Sequence, residues 1–268
     1  MTRVRTRLSC GAPSMSRHDE ILTELGLAPT WQRRARPGLD RGPDALVSPA
    51  PPPAPPLAAS EVTAPASPEA RIVRIAALEW RDFAADVDVC VACGLSRTRK
   101  KTVPGVGDTR AEWLFIGEAP GAEEDARGEP FVGQAGKLLD NMLAALGMDR
   151  GRNVYIANVL KCRPPGNRTP EPGEVDSCRP YLDRQIALIA PKVVVALGKS
   201  AATTLLGIDA TIASLRGRVH RYGGLPLVVT YHPAYLLRNL PDKAKAWEDL
   251  LLARRTLRGA AIPAPTGP

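Results

Sequence analysis

The sequence predicts an α/β protein: a three-layer α/β/α domain with a central four-stranded parallel sheet. Short, nearly continuous apolar runs alternate four times with amphipathic segments between residues 111 and 257, as in parallel sheets that helices cover on both faces. The chain has 268 residues, of which 44% are hydrophobic, so a sizeable core can be buried. No apolar run reaches about 18 residues, so we expect no membrane interaction.

Composition separates the first 70 residues from the rest. They contain SPAPPPAPPLAAS, in which closely spaced prolines fix backbone angles and remove hydrogen-bond donors. Ile21, Leu22 and Leu25 have helical spacing and predict one short helix in this region. The predicted organisation is a largely disordered extension at 1–70 with a short helix at 16–28, a globular domain at 71–258, and a disordered tail at 259–268.

The strands and helices of the domain follow from apolar patterning. Runs that are short and end at glycine or polar residues are typical of strands buried on both faces; they are AEWLFIG (111–117), NVYIANVL (153–160), KVVVALG (192–198) and LPLVVTYHP (225–233). Helical spacing, with capping signals such as Gly147 after one segment, predicts the helices. These are 71–90, 133–147, 171–190, 199–207 and 242–257.

Ligand sites in such sheets lie beyond the carboxyl ends of the strands. This topology brings together GEAPG (117–121), NVLKCRPPGNR (158–168) and YHPAYLLRN (231–239). The first begins a stretch rich in glycine, GEAPGAEEDARGEPFVGQAG, which resembles a phosphate-binding loop but contains five acids. We therefore expect this loop to face a base and a sugar, with phosphates bound by basic residues around it.

Four of the five cysteines form a candidate metal site. A CxxC pair is followed by 68 residues and then by a C-x15-C pair, and basic residues beside two of the cysteines favour the thiolate. The spacing fits either zinc or an iron–sulfur cluster, and the second pair has the alternative of being small core residues. We expect Cys10 to be unligated. The four are Cys90, Cys93, Cys162 and Cys178.

Charge and cysteine usage indicate the partner and the compartment. The net charge of +8 and the pI near 9.5 favour an anionic partner, with nucleic acid as the first expectation. The basic N-terminus is not followed by an apolar segment, so no secretory signal is predicted. Cysteines available for metal chemistry are typical of an intracellular chain, and we expect a cytoplasmic protein.

These motifs resemble the family-four uracil-DNA glycosylases, the iron–sulfur members of the uracil-DNA glycosylase superfamily. The resemblance covers about residues 75–255 and rests on the cysteine spacing, GEAPG, EPFVGQAGKLLD, NVLKCRPPGNRTP and HPAYLLR. It implies a 4Fe-4S cluster on the four cysteines and removal of uracil from DNA, leaving an abasic site. A covalent-trapping relative carries a KRRIH insert where this chain has RPPGNRTPEPGE, so covalent attachment is not expected.

The resemblance and side-chain chemistry together assign a uracil pocket. Phe131 is expected to stack on a flipped base, and the amide of Asn158 to pair with uracil N3–H and O4. Ala119 is expected to contact the base, and Glu124 to exclude the C5 methyl of thymine. The alternatives are that Phe131 packs into the core, that Asn158 satisfies backbone groups, and that Glu124 is a solvated loop acid.

Two residues are expected to act in catalysis. Uracil leaves as an anion, and a neutral His232 donating a hydrogen bond near O2 would stabilise it. Glu118 would face the sugar, which develops positive charge, either as a stabilising carboxylate or as the base that activates water. The residues themselves do not decide between these two roles of Glu118.

A basic rim is expected to bind DNA, with Tyr235 and Leu236 either wedged into the gap left by the flipped base or packed inward. The expected partner is uracil-containing DNA, single or double stranded, and the expected state is a monomer. A non-catalytic iron–sulfur DNA-binding protein is the alternative; a zinc-stabilised Rossmann-like enzyme is disfavoured because GxGxxG is absent. The predicted rim is Arg97, Arg99, Lys100, Lys101, Lys161, Arg163, Arg168 and Arg238.

Overall fold

A computed structural model describes residues 67–259 of the chain. The short helix predicted at 16–28, most of the predicted N-terminal extension, Cys10 and nearly all of the predicted C-terminal tail lie outside these residues. Within them, no helix is both long and apolar enough to cross a membrane.

The centre of the domain is one sheet with six strands. They are β1 (Val106–Gly107), β2 (Trp113–Gly117), β3 (Val154–Asn158), β4 (Val193–Leu197), β5 (Val219–Tyr222) and β6 (Leu225–Thr230). Their order is β1-β3-β2-β4-β6-β5, and the inner four pair in parallel, which confirms the four predicted strands. The sheet has two further strands at its edges, β1 and β5, which pair antiparallel.

Nine helices and two short 3₁₀ turns connect the strands within the described residues. The helices are α1 (Pro68–Ala76), α2 (Trp80–Asp88), α3 (Ala122–Arg127), α4 (Gln134–Ala145), α5 (Pro172–Ile189), α6 (Lys199–Leu206), α7 (Ile212–Leu215), α8 (Pro233–Leu236) and α9 (Asp242–Leu257). The 3₁₀ turns are Gly94–Arg97 and Pro165–Asn167.

The single helix predicted at 71–90 is wrong, because the chain breaks between α1 and α2. Ile75 of α1 and Phe83 and Val87 of α2 are all buried in one cluster with Tyr181 of α5. At about 100° per residue, an unbroken helix would turn Val87 about 120° away from Ile75. The break therefore lets both helices bury their apolar side chains against α5.

Helices cover both faces of the sheet, which confirms the three-layer prediction. On one face, Leu114 and Ile116 of β2 share a buried cluster with side chains of α5 and α6. On the other, Trp113 and Phe115 share a cluster with α4 and α9. Alternate residues of the same strand thus enter opposite cores, as expected for a strand buried on both sides.

The topology locates a crevice at the carboxyl end of β2. After β2 the chain crosses to β3 on one side, and it later returns to β4 on the other side of β2. A change of winding direction of this kind opens a crevice at the strand end where ligands bind in parallel α/β sheets. GEAPG begins at this point.

Candidate active site

A cavity of about 490 Å³ lies in this crevice, and most of the predicted site residues meet there. The predicted residues that line it are Glu118, Ala119, Glu124, Phe131, Asn158, Arg168, His232 and Arg238. Pro164, Asn167 and Ala234 also line it and were not predicted. Arg163, Tyr235 and Leu236 are not part of the lining.

A close contact at Gly117 builds the floor of the cavity. Gly117 at the end of β2 is paired in register with Asn158 at the end of β3. A Cβ atom at position 117 would lie 2.6 Å from the ring of Phe131 and would also collide with the amide oxygen of Asn158. Only glycine leaves room for both side chains, so β2 brings together the two groups expected to hold and read the base.

The side-chain oxygen of Asn158 is a buried acceptor with no partner among the described residues. The residue is 2% exposed, and its Oδ1 accepts no hydrogen bond from the protein. An unpaired buried acceptor of this kind costs about 1–3 kcal/mol. A ligand with an N–H group in the cavity would remove that cost.

Phe131 is held in an unusual backbone conformation. Its φ angle is +55°, in the left-handed region, which is strained by about 1–3 kcal/mol for residues other than glycine. The ring is buried and lies 5.5 Å from the ring of His232 at an interplanar angle of 28°. The strain occurs at a position where the backbone turns an aromatic face into the cavity.

One of the acids in the glycine-rich loop, Glu124, organises the backbone of that loop. The carboxylate of Glu124 accepts hydrogen bonds from the amides of Gly121 (3.1 Å), Val132 (2.9 Å) and Gly133 (3.2 Å). It therefore joins the two ends of the loop while its side chain lines the cavity. The alternative of a solvated loop acid is wrong for Glu124.

Asp125 has a matching structural role that the sequence did not reveal. It is 2% exposed and accepts hydrogen bonds from the amides of Lys100 (2.8 Å) and Lys101 (3.4 Å). Because these amides follow the CxxC segment directly, Asp125 ties the loop to the chain around the first two cysteines.

His232 has a free Nε2–H group that could donate a hydrogen bond into the cavity, within the part of the chain that the structure describes. Its Nδ1 accepts from the amide of Ala234 at 3.1 Å, so the ring proton resides on Nε2. Burial, with a smaller contribution from the charge of Arg238, lowers the pKa of His232 to about 4, and Glu124 partly opposes the shift. The ring is therefore uncharged at neutral pH, as the sequence-based hypothesis requires.

Glu118 lies where the cavity meets an adjoining groove of about 970 Å³, which Ser200 and His232 also line. Burial raises the pKa of Glu118, and a hydrogen bond with Ser200 partly offsets the shift. A carboxyl group with a raised pKa is better matched to proton transfer near neutral pH than an exposed one. Ser200 is the second residue of α6, just past the carboxyl end of β4, where site residues of parallel sheets are expected, and the sequence analysis left it unassigned.

The four predicted ligand cysteines are present as free thiols. No group of three or more His, Cys, Asp or Glu side chains within residues 67–259 is arranged to hold a metal ion. Three of the sulfurs do accept N–H donors: Cys90 from Arg71 (3.5 Å), Cys162 from Arg99 (3.3 Å) and Cys178 from the backbone amide of Lys161 (3.3 Å).

The thiols also affect one another electrostatically. Burial raises the pKa of Cys162, and negative charge on Cys93 and Cys90 would raise it further. Burial raises the pKa of Cys178 to about 12, so this thiol is uncharged unless a cation displaces its proton. The N–H groups that donate to Cys90, Cys162 and Cys178 would stabilise these sulfurs as thiolates, which is the form that binds a metal.

Lys161 is buried, so its predicted place on the DNA-binding rim is wrong. The residue is 1% exposed, and its ammonium group donates to the backbone oxygen of Asn158 at 2.7 Å and to the side chain of Gln185. Burial lowers the pKa of Lys161 to about 8, whereas the neighbouring Cys178 and Cys162 act to raise it. Arg99 also points inward, towards Cys162 and the oxygens of Cys90 and Asp88.

The structure decides between the two alternatives for α8. Leu236 is 1% exposed and belongs to a buried cluster with Tyr231. The Tyr235 ring stacks on Tyr231 at 5.1 Å, and its hydroxyl donates to Asp242 at 2.7 Å. Leu236 packs inward because an apolar cluster is available beneath it, which corrects its assignment as a DNA wedge, whereas Tyr235 is half-buried against that cluster. The exposed apolar side chains nearby are those of Leu237 and Leu240, which are 42% and 60% exposed.

The predicted DNA-binding arginines differ in their partners. Arg168 forms a two-pronged ion pair with Glu174, at 2.6 and 2.9 Å, so much of its charge is compensated. Arg163 donates to Asn167 at 2.7 Å on the 3₁₀ turn that borders the cavity. Arg238 forms no salt bridge with any residue in the described part of the chain, and it lines the mouth of the cavity.

Comparison with known protein families identifies the class of protein to which this fold and cavity belong. The family model for the uracil DNA glycosylase superfamily matches residues 104–251, more than half of the chain. The match contains β2 to β6 and every residue that lines the cavity.

Curated relatives define the branch of the superfamily. A type-4 uracil-DNA glycosylase from Archaeoglobus fulgidus is 47% identical over 164 residues, which are 58% of this chain and 82% of the relative. One from Thermotoga maritima is 46% identical over 176 residues, 64% of this chain and 91% of the relative. A type-5 uracil-DNA glycosylase from Pyrobaculum aerophilum is 34% identical over 152 residues, 51% of this chain and 67% of the relative. The chain belongs to the type-4 uracil-DNA glycosylases.

The charge state of His232 is directly testable. Because burial lowers its pKa to about 4, we expect the ring to remain the neutral Nε2–H tautomer from about pH 8 down to about pH 5. Nitrogen-15 NMR of the imidazole rings, with His232→Gln used to assign the signal, measures this. Protonation with a midpoint near the ordinary value of about 6.5 would contradict it.

Proposed function

We propose that the cavity at the carboxyl end of β2 is where this protein removes uracil from DNA, by hydrolysis of the N-glycosidic bond of a flipped nucleotide. The product is an abasic site, as base excision repair of deaminated cytosine requires. The observation that carries the proposal is the unpartnered buried oxygen of Asn158 in the same cavity as a neutral histidine donor. Nothing in the fold or in the relatives favours the non-catalytic alternative.

Asn158 would select the base. Its Oδ1 is placed to accept from uracil N3–H, and its amide nitrogen can donate to O4 of the same edge. Cytosine presents an acceptor at N3, which would leave two acceptors facing each other in a buried site, so cytosine is rejected. Phe131 would stack on the ring and exclude water from these hydrogen bonds.

Glu124 and Ala119 would complete the wall around the base. The three backbone amides bound by the carboxylate of Glu124 fix the position of its side chain. A fixed wall rejects a C5 methyl group by overlap, whereas a mobile side chain would move aside. This supports the predicted role of Glu124 in excluding thymine.

His232 and Arg238 would stabilise the departing base. Negative charge develops on O2 as the glycosidic bond breaks, and a preorganised N–H donor stabilises it without proton transfer. The same positive charge of Arg238 that lowers the pKa of His232 would also attract the uracil anion. His232 would thus supply the hydrogen bond to the departing base, and Arg238 would supply the positive charge.

Glu118 would act on the sugar side. As its pKa is raised by burial, its carboxylate is poorly solvated and interacts strongly with a developing sugar cation or with a water molecule beside it. The adjoining groove, which Glu118 borders, offers a path for that water. Either role requires the ionised carboxylate.

The assignment of the site is tested by cleavage of uracil-containing oligonucleotides followed by alkaline strand scission. We expect His232→Ala to lower the single-turnover rate by about 10²–10³, because one preorganised donor is lost. His220→Ala is the matched control, since that ring lies on edge strand β5 and contacts the carbonyl of Leu215. Equal rates for the two variants would exclude His232 from stabilising the leaving base.

We further propose that Cys90, Cys93, Cys162 and Cys178 hold a 4Fe-4S cluster. The N–H donors to three of the sulfurs support this ligand set, together with the resemblance of the cysteine spacing to that of the iron–sulfur family. When bound, the cluster would cross-link the segment after α2 to α5 and to the chain after β3. Its function would be to fix the position of these segments beside the DNA-binding surface.

The cluster is tested by iron and acid-labile sulfide analysis of protein purified without oxygen. We expect the parent protein and Cys10→Ser to be brown and to contain both elements. Cys162→Ser is expected to lose them and to unfold at a lower temperature, because a cross-link between distant segments is removed. A colourless parent protein with stoichiometric zinc would contradict the assignment.

Leu237 would be the residue that contacts the gap left by the flipped base. It follows the buried Leu236, is 42% exposed, and is adjacent to Arg238 at the cavity mouth. Apolar wedges of this kind stabilise a distorted duplex. The exposed position therefore replaces Tyr235 and Leu236 in this role.

The wedge is tested by comparing duplex and single-stranded substrates. Leu237→Ala should lower kcat/KM on duplex DNA by about tenfold and leave single-stranded DNA nearly unchanged, because only the duplex must be unstacked. Leu236→Ala should instead lower the thermal stability, as a buried side chain is truncated. Equal losses on both substrates for Leu237→Ala would refute the wedge role.

The same comparison of duplex and single-stranded substrates measures whether the protein prefers single- or double-stranded DNA. A monomeric state, a cytoplasmic location and a disordered N-terminal extension stay predictions from the sequence.

A further inference from the structure

Arg150 is a half-buried residue outside the cavity that no step of the proposed reaction uses. It lies between α4 and β3, and its side chain is 22% exposed. One guanidinium nitrogen donates to the carbonyl oxygen of Pro130 at 2.8 Å, and the other donates to that of Phe131 at 2.9 Å. Asp140 of α4 accepts from the same guanidinium at 2.8 and 3.0 Å.

These hydrogen bonds act on the strained part of the glycine-rich loop. The two carbonyl groups flank the Cα atom of Phe131, where φ is +55°. Accepting from one rigid, planar group fixes the orientation of both peptides relative to each other. Rotation of either peptide back to an unstrained conformation would break a hydrogen bond to Arg150 and would swing the Phe131 ring.

A glycine on α4 makes this arrangement sterically accessible. A Cβ atom at position 136 would overlap the carbonyl oxygen of Phe131. Gly136 therefore lets that oxygen lie against the helix, where Arg150 reaches it. The helix, the arginine and Asp140 together form a support for the backbone on both sides of Phe131.

We propose that Arg150 is a positioning residue for base binding, which holds the ring of Phe131 in the orientation that stacks on a flipped pyrimidine. The inference rests on the proposed stacking role of Phe131. It assigns to Arg150 an effect on catalysis that passes entirely through Phe131, without contact between Arg150 and the DNA. Lysine cannot replace it, because one ammonium group lacks the planar fork that reaches two carbonyls and a carboxylate.

A double-mutant cycle tests the proposal on single-stranded uracil-containing DNA, for which duplex unstacking plays no part. Phe131→Ala should lower kcat/KM about 5- to 150-fold, the range expected for one lost base–aromatic contact. Arg150→Ala and Arg150→Lys should each lower it at least about fivefold. Arg150→Ala in the Phe131→Ala background should cause no further loss, because no ring remains to be positioned.

The controls separate positioning from folding. Arg152→Ala removes an arginine two residues away that is 78% exposed and, among residues 67–259, pairs only with Asp149, so activity should be unchanged. Asp140→Asn keeps Arg150 but weakens its support, and should reproduce part of the loss in activity. This variant tests the proposal even if Arg150→Ala folds poorly. Thermal unfolding of every variant shows whether activity and stability change together.

Each outcome has one meaning. Full activity of Phe131→Ala would refute the stacking role of Phe131 and, with it, the inference about Arg150. A loss for Phe131→Ala with additive effects of the two substitutions would refute the positioning role of Arg150 alone. Unchanged activity of Arg150→Lys would show that charge suffices and would also overturn the proposal.

Discussion

The site depends on the parallel register between β2 and β3, which places Gly117 opposite Asn158. A shift of one residue would turn Asn158 to the other face of the sheet, since side chains alternate along a strand. The absence of a side chain at position 117 then lets the Phe131 ring and the Asn158 amide approach the same backbone atom. The proposed base stacking by Phe131 and base reading by Asn158 therefore both depend on a single strand pairing, and the remaining groups are arranged around it.

The acidic residues of the glycine-rich loop are explained by this arrangement. Many glycines let the backbone of a loop approach a ligand closely, but they also leave the loop with more conformational freedom. Glu124 compensates by binding three amides of the loop, and Asp125 by binding two amides of the segment after the CxxC pair. On the far side of the sheet, the buried ammonium group of Lys161 joins the Asn158 backbone to the cysteine region. The chain around the cysteines is thus connected to the cavity by two separate routes.

The inner sheet and most of the cavity lining could be predicted from the sequence because both follow from local signals. Apolar runs indicated β2, β3, β4 and β6, and the rule that sites lie at carboxyl ends brought their flanking motifs together. The direction of side chains in short segments could not be predicted. Leu236 and Leu237 are equally apolar neighbours, and only the cluster around Tyr231 decides which one is buried. The burial of Lys161 and the reach of Arg150 to the carbonyl of Phe131 likewise depend on tertiary contacts that leave no pattern in the chain.

The division of tasks between His232 and Arg238 follows from where each lies. A histidine that was cationic at neutral pH would lose the hydrogen bond in which its Nδ1 accepts from Ala234, and with it the orientation of Nε2–H. Burial keeps the ring neutral and oriented, but a neutral donor alone supplies no net charge to the leaving anion. In the proposed mechanism Arg238 would supply that charge from the cavity mouth, and its positive charge also disfavours protonation of His232. The two proposed roles would therefore reinforce each other, since the arginine that would attract the anion also keeps the histidine in the neutral form that would bind it.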